Sequence, residues 1–222
     1  MSALLPKLLA LAWLSYFASG ESVVAQLAAA HAGQPALHVE GALSAAAPDA
    51  PVRLLIDLHP EFGMRIADDR GGRWVVQRGR VLAGTALPLP GWLPDLEVLA
   101  LRHDSDLRAW LGVQGIDASA NELARCGDGD CYVLGTRQSL AQLWVEKRAL
   151  EVRRLVLPGR GSLDFEEWRI FDRIRFPARL ELSRDGATAT IAVESVAPAA
   201  PLTATDFSAS WVQASPAVLK KR

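Results

Sequence analysis

Residues 173–183 read RIRFPARLELS, and within them two chemistries take strict turns. Ile174, Phe176, Ala178, Leu180 and Leu182 fall in one phase, while Arg173, Arg175, Arg179, Glu181 and Ser183 fall in the other. Strand side chains project to opposite faces with period two, so this stretch predicts a long antiparallel strand with one apolar and one wet face. Arg184-Asp185-Gly186 then offers a hairpin turn into a partner strand over Ala187–Val196. Working upstream, the same reading places strands near Cys131–Gly135, Gln142–Lys147, Leu150–Leu157 and Leu163–Phe171.

The early part of the chain repeats the pattern. Leu37, Val39 and Leu43 alternate with His38, Glu40 and Ala42; Val52, Leu54, Ile56 and Leu58 alternate with Arg53, Leu55, Asp57 and His59. Turn compositions at His59-Pro60-Glu61, Asp68–Gly72 and Arg78-Gly79 link these to Phe62–Ile66, Arg73–Gln77 and Val81-Leu82, a meander of hairpins. Two segments break the period. Val24, Leu27, Ala28 and His31 share one face of a helix over Glu21–His31, stopped by Gly33 and Pro35. After the proline-rich TALPLPGWLP, Leu93, Leu96, Leu99 and Ala100 recur at spacings of three and four. Asp104-Ser105-Asp106 then offers caps for a helix presenting Leu107, Trp110 and Leu111. Antiparallel strands with a few apolar helices make an α+β fold.

Composition narrows the function. Lys+Arg 24 against Asp+Glu 25 leaves no basic field for nucleic acid. Half the residues are hydrophobic and seven are tryptophan, a large apolar surface to fill or cover. Lys7, the apolar run Leu8–Phe17 and the small residues Ala18-Ser19-Gly20 read as an export signal over residues 1–20. The run falls short of the about 20 apolar residues that span a bilayer. A buried amino-terminal helix of a cytosolic protein is the alternative. Cys126 and Cys131 enclose the tight-turn residues Gly127-Asp128-Gly129-Asp130 and could face each other across a hairpin as a disulfide; two free thiols are the other possibility.

Nothing in the chain has the spacing of a catalytic or metal site. His31, His38, His59 and His103 are scattered, with no HExxH; Asp128 and Asp130 lack the remaining ligands of a calcium loop. Gly159-Arg160-Gly161-Ser162 has no Lys-Ser/Thr to make a phosphate loop, and no GxSxG elbow occurs. Glu166 and Glu167 read as a polar strand face, and Lys220-Lys221-Arg222 as a solvated basic tail. No enzyme, metal or cofactor is expected.

The order of elements resembles the bacterial outer-membrane lipoprotein carrier (LolA/LolB-like) superfamily. The likeness rests on ESVVAQLAAAHAG running into PALHVEGALS, the helical insertion Gly91–Gly112, CYVLG, and QLWVEKRALEVRRLVLP. Its closing part is RFPARLELSRDG with IAVESV, Pro201-Leu202 and Phe207, so it spans about Glu21 to Phe207. The resemblance implies one domain over 21–207, an unclosed antiparallel β-barrel of about eleven strands lidded by helices, followed by an irregular tail over 208–222. It implies a monomeric periplasmic carrier without catalysis, holding acyl chains of lipoproteins or lipids in an apolar groove and meeting membrane-bound donor and acceptor proteins. An envelope sensor of the same fold, binding lipidated proteins and signalling to a membrane partner, is the alternative. Candidate groove residues are Leu54, Ile56, Phe62, Met64, Trp74 and Trp144, with Leu96, Leu99 and Trp110 from the lid. The same residues would serve an ordinary packed core. The family's lid-locking arginine is not placed: Arg53, Arg65 and Arg73 lie on early strands, and no local motif selects one.

Overall fold

A computed structural model of the chain describes residues 18–45, 51–85, 93–136 and 138–214. The apolar run Leu8–Phe17 and the basic tail Lys220–Arg222 lie outside the described residues.

Twelve strands form one antiparallel sheet. They are β1 (Leu37–Ala45), β2 (Val52–His59), β3 (Gly63–Asp68), β4 (Arg73–Gln77), β5 (Arg80–Gly84), β6 (Asn121–Cys126), β7 (Gly129–Leu134), β8 (Gln142–Glu146), β9 (Val152–Leu157), β10 (Gly161–Phe171), β11 (Ile174–Arg184) and β12 (Ala187–Pro198). Their order is β5-β4-β3-β2-β1-β12-β11-β10-β9-β8-β7-β6, two meanders joined where β1 pairs with β12. The two free edges, β5 and β6, are consecutive in sequence yet lie at opposite ends of the sheet. They do not pair, so the barrel stays open, and residues 85–120 must pass from one edge to the other. That passage carries the helical insertion over the apolar face.

The strand that decided the sequence reading behaves as expected. Ile174, Phe176, Ala178, Leu180 and Leu182 are all buried on β11. Its pairs with β10, Leu163↔Leu182 and Phe165↔Leu180, continue the same face. Register shifts at Glu40/Gly41 and Trp144/Val145 insert bulges, which bend strands and tighten their twist. Gly41 sits at the first of these: a Cβ there would meet Ala192 O at 2.8 Å, so only glycine lets β12 pass that close.

Three expectations are amended, and the last residues assigned to the export signal make contacts of their own. The strand count is twelve rather than about eleven; the segment not anticipated is β6, NELARC, which carries no apolar alternation. The second inserted helix, Asp104–Gln114, is capped at His103 without a side-chain bond, and Asp104 instead holds Arg108 one turn on, at 2.8 Å. Within the tail, Ala209–Gln213 is a short helix rather than irregular chain. Ala18, Ser19 and Gly20, assigned to the export signal, are tied into the domain: Ser19 Oγ accepts the Ser22 N–H at 3.2 Å as N-cap, and Ala18 O accepts from Asn121 Nδ2 at 2.7 Å. Cys126 and Cys131 are joined across the β6–β7 hairpin, Cα atoms 5.8 Å apart.

Candidate functional site: the covered apolar face

The inner face of the sheet is continuous and apolar. Leu37 and Val39 of β1, Leu54, Ile56 and Leu58 of β2, and Met64 and Ile66 of β3 lead into Trp74 and Val76 of β4, with Leu143, Val145, Leu155, Leu163, Phe165 and the β11–β12 residues opposite. Three helical pieces lie over it: α1 (Gly20–His31), the 3-10 helix Leu93–Leu99, and α2 (Asp104–Gln114). The middle piece, LPDLEVL, acts as a plug. In a 3-10 helix residues three apart eclipse, so Leu93, Leu96 and Leu99 stack in one line, at 0%, 2% and 3% exposure. Leu96 enters the groove among Val39, Ile56, Leu58, Phe176, Leu180 and Ile191. The void left beside it is about 10 Å³, room for at most one water molecule. The groove is therefore filled by the protein's own side chains.

Over the plug, α2 buries Leu107, Trp110, Leu111 and Gln114 at helical spacing and ends at Gly115 in the left-handed region, φ 74°. From α1, Val23, Val24 and Leu27 join the same core. The buried His31 ring donates from Nδ1 to Leu101 O at 3.2 Å, fastening α1 to the chain just after the plug. Burial holds the His31 pKa below the usual histidine value, the bond to Leu101 notwithstanding.

Two carboxylates enter the apolar face with the plug. Asp95, 2% exposed, lies 2.9 Å from Arg160 Nη1, in the turn between β9 and β10. The contact is one of charge rather than an aligned hydrogen bond, because Asp95 Oδ1 finds no hydrogen-bond donor. Arg160 also donates to Gln114 Oε1 of α2. Burial pushes the Asp95 carboxyl up to about 7, against the pull of Arg160. Glu97, 1% exposed, accepts the backbone N–H groups of Arg78 at 2.8 Å and Gly79 at 2.5 Å in the β4–β5 turn. Burial also raises its pKa, opposed by those two bonds. Gly79 has φ +69° and lies against the Gln114 amide, so a side chain there would be strained and would push that amide aside. The plug is thus clasped at both rims, through Asp95 to β9–β10 and through Glu97 to β4–β5.

Of the sequence-chosen residues, Leu54, Ile56, Met64, Trp74, Leu96, Leu99 and Trp110 meet in this one core. Phe62 and Trp144 do not. Phe62 lies in the turn before β3, stacked on His59 with ring centroids 4.2 Å apart and near Phe207 at 5.8 Å. Trp144 falls in the opposite phase from Leu143 and Val145. It is half-buried in an open, polar depression on the outer face, beside Glu146, Arg154 and Asp164, and donates to Gln142 Oε1 at 2.9 Å. The clasp residues Asp95, Glu97, Arg160 and Gln114 were not singled out from the sequence. Their one signal was two acids inside an otherwise apolar heptapeptide.

None of the three early arginines touches the plug. Arg53 pairs with Glu194 at 3.5 Å. Arg65 and Arg73 instead hold a strap, Thr203–Ala214, against the outer face. Arg65 donates to Asp57 at 2.7 Å and Asp206 at 3.2 Å; Arg73 donates to Trp211 O at 3.0 Å and Ala214 O at 2.8 Å. Both guanidiniums lie 5.1 Å from the centre of the Trp211 ring. Among the described residues no cluster of His, Cys, Asp or Glu could hold a metal ion, and no helix is long and apolar enough to cross a membrane.

No family model and no curated protein matches the chain. Solved structures share its fold. A DUF1329 family protein from Desulfovibrio piger superposes with a TM-score of 0.57 at 15% identity, over 87% of this chain and 98% of that one. A domain from Vibrio parahaemolyticus, proposed for outer membrane lipoprotein sorting, gives 0.52 at 11% identity over 87% and 98%. A LolA superfamily protein from Nitrosomonas europaea gives 0.48 at 15% identity over 88% and 100%. The chain thus shares with the first two of these the fold described above, an unclosed antiparallel barrel.

Proposed function

We propose that this protein is a non-enzymatic periplasmic carrier that shelters the acyl chain of a lipid or lipoprotein on its inner face, in the place now taken by the plug. The observation that carries the reading is the plug itself: a segment outside the sheet that lays Leu93, Leu96 and Leu99 into the groove without being part of its wall. A fold shared with a domain proposed for lipoprotein sorting agrees with it.

Magnitudes make the exchange plausible as chemistry. Burying a Leu or Val side chain contributes about 1.5–3 kcal/mol, so Leu93, Leu96, Val98 and Leu99 together contribute about 6–12 kcal/mol. An acyl chain of about fifteen methylenes, at about 0.8 kcal/mol each, contributes about 12 kcal/mol. Cargo and plug are near balance for the same surface, so hand-over needs no nucleotide hydrolysis. The lining is Leu54, Ile56, Met64 and Trp74 on one flank and Phe176, Leu180, Ile191 and Val193 on the other, with Leu96, Leu99 and Trp110 moving away.

The full chain, exported and recovered from the periplasm, should retain lipid or lipoprotein visible as added mass in native mass spectrometry. Its delipidated form should bind a fluorescent fatty acid saturably, displaced by unlabelled palmitate. A protein that carries no added mass and gives no saturable binding contradicts the proposal.

A further inference from the structure

We propose that closing the plug takes up a proton, so that the groove opens more readily as the pH rises: Asp95 and Glu97 travel into the apolar face with the plug and return to water when it leaves. The inference rests on the reading that the plug moves out of the groove, and it names what regulates that movement.

The geometry buries both carboxylates and compensates each from one side only. Around Asp95 the lining is Leu155, Leu157, Leu163 and Leu182; the charged groups facing it are Arg160 from the β9–β10 turn and Glu97 from the plug itself. Arg160 divides its guanidinium between Asp95 and Gln114, and is itself partly exposed. Glu97 faces two backbone N–H groups and the Arg78 charge on one side, and the like charge of Asp106 in α2 on the other. Buried polar atoms lacking a hydrogen bond gather in the same region: Asp95 Oδ1, Gln114 Nε2 and Trp110 Nε1. An ionised carboxylate held this way is disfavoured, whereas a protonated one is tolerated and gains a donor.

The sign follows directly. With the plug out, Asp95 titrates near the ordinary value of about 3.9; with the plug in, its carboxyl is pushed up to about 7. Between those limits the closed form holds one more proton than the open form. Closure is therefore fully favoured below the lower limit and loses this advantage as pH climbs through the upper one. Glu97 shifts the same way. His31, at the junction of α1 with Leu101, runs oppositely, because protonating a buried imidazole favours opening in acid.

Hydrogen exchange of residues 93–99 in the full chain, without lipid, between pH 5 and 8.5 and corrected for the intrinsic exchange chemistry, reads the opening equilibrium. Protection should fall with rising pH up to about pH 7, by about tenfold per unit for each proton released, and then level. The double variant Asp95→Asn, Glu97→Gln should remove the slope. Arg160→Gln, which strips the countercharge, should move the levelling point to higher pH. Plug protection that is flat in the native chain, or a slope unchanged in the double variant, overturns the inference. Should the double variant not fold, an unmoved levelling point in Arg160→Gln does so. Because no lipid is present, a failure to bind acyl chains leaves this result readable, and a pH-independent plug in a lipid-binding protein refutes this inference alone.

Discussion

The plug and the strap are both short segments laid across the same sheet, one on each face, and they are held differently. Inside the groove the plug offers leucines to leucines and valines, contacts with no preferred direction, and directed contacts hold it only at its rims, through Asp95 and Glu97. The strap is held by directed bonds. Arg65 bridges Asp57 and Asp206, Arg73 caps the carbonyls of Trp211 and Ala214, and the indole lies against both guanidiniums. A Thr203–Asp206 capping box fixes the strap's own first turn. Such bonds specify one geometry and no substitute. The two covers therefore differ in what holds them: mainly apolar packing on the inner face, directed bonds on the outer.

Truncations on the two faces should separate these modes, beginning with the largest effect. Trp110→Ala, at 0% exposure, removes the biggest side chain above the plug and should cost about 3–5 kcal/mol in a urea unfolding curve. Trp211→Ala on the strap should cost about 1 kcal/mol, the worth of partly exposed cation–π contacts; near-equal losses would break the contrast. Leu96→Ala should cost about 2–5 kcal/mol while tightening binding of a fluorescent fatty acid, because it empties part of the groove. The smallest effect is ionic. Burial pushes the Asp57 carboxyl up, but the bonds from His38 and Arg65 outweigh it and leave the pKa below the ordinary value. Its stabilising contribution is therefore present above about pH 4 and lost as pH falls through the folded value. Trp211 fluorescence should report the strap loosening in acid, whereas the plug loosens as pH rises; a strap that loosens toward neutral pH would remove the distinction.

Much of the wall was legible because a half-buried strand must alternate. RIRFPARLELS and VRLLIDLH declare their inner faces, and the structure follows them there, although Asp57 and Pro177 in the outer phase are buried as well. Strand β6 was not legible: it lies at an edge, where backbone pairing to β7 suffices and no apolar phase is required. Trp144 was misplaced although QLWVE held the answer, since period two sets it opposite Leu143 and Val145. A count of aromatics says nothing of which face they take. Phe62 belongs to a turn, where no period applies. The clasp was out of reach for a different reason. Nothing local marks Asp95 and Glu97 as a clasp until the sheet brings Arg160 and the Arg78-Gly79 turn against them, and that meeting depends on β5 and β6 being opposite edges joined across the groove.

The central claim is that hydrocarbon and plug compete for one surface. The most direct measurement is hydrogen exchange of the full chain with and without saturating palmitate at fixed pH, followed at residues 93–99 and 203–214. The account predicts that palmitate strips protection from the plug and leaves the strap unchanged. Palmitate binding with the plug as protected as before would mean that the hydrocarbon lies elsewhere, and would contradict it.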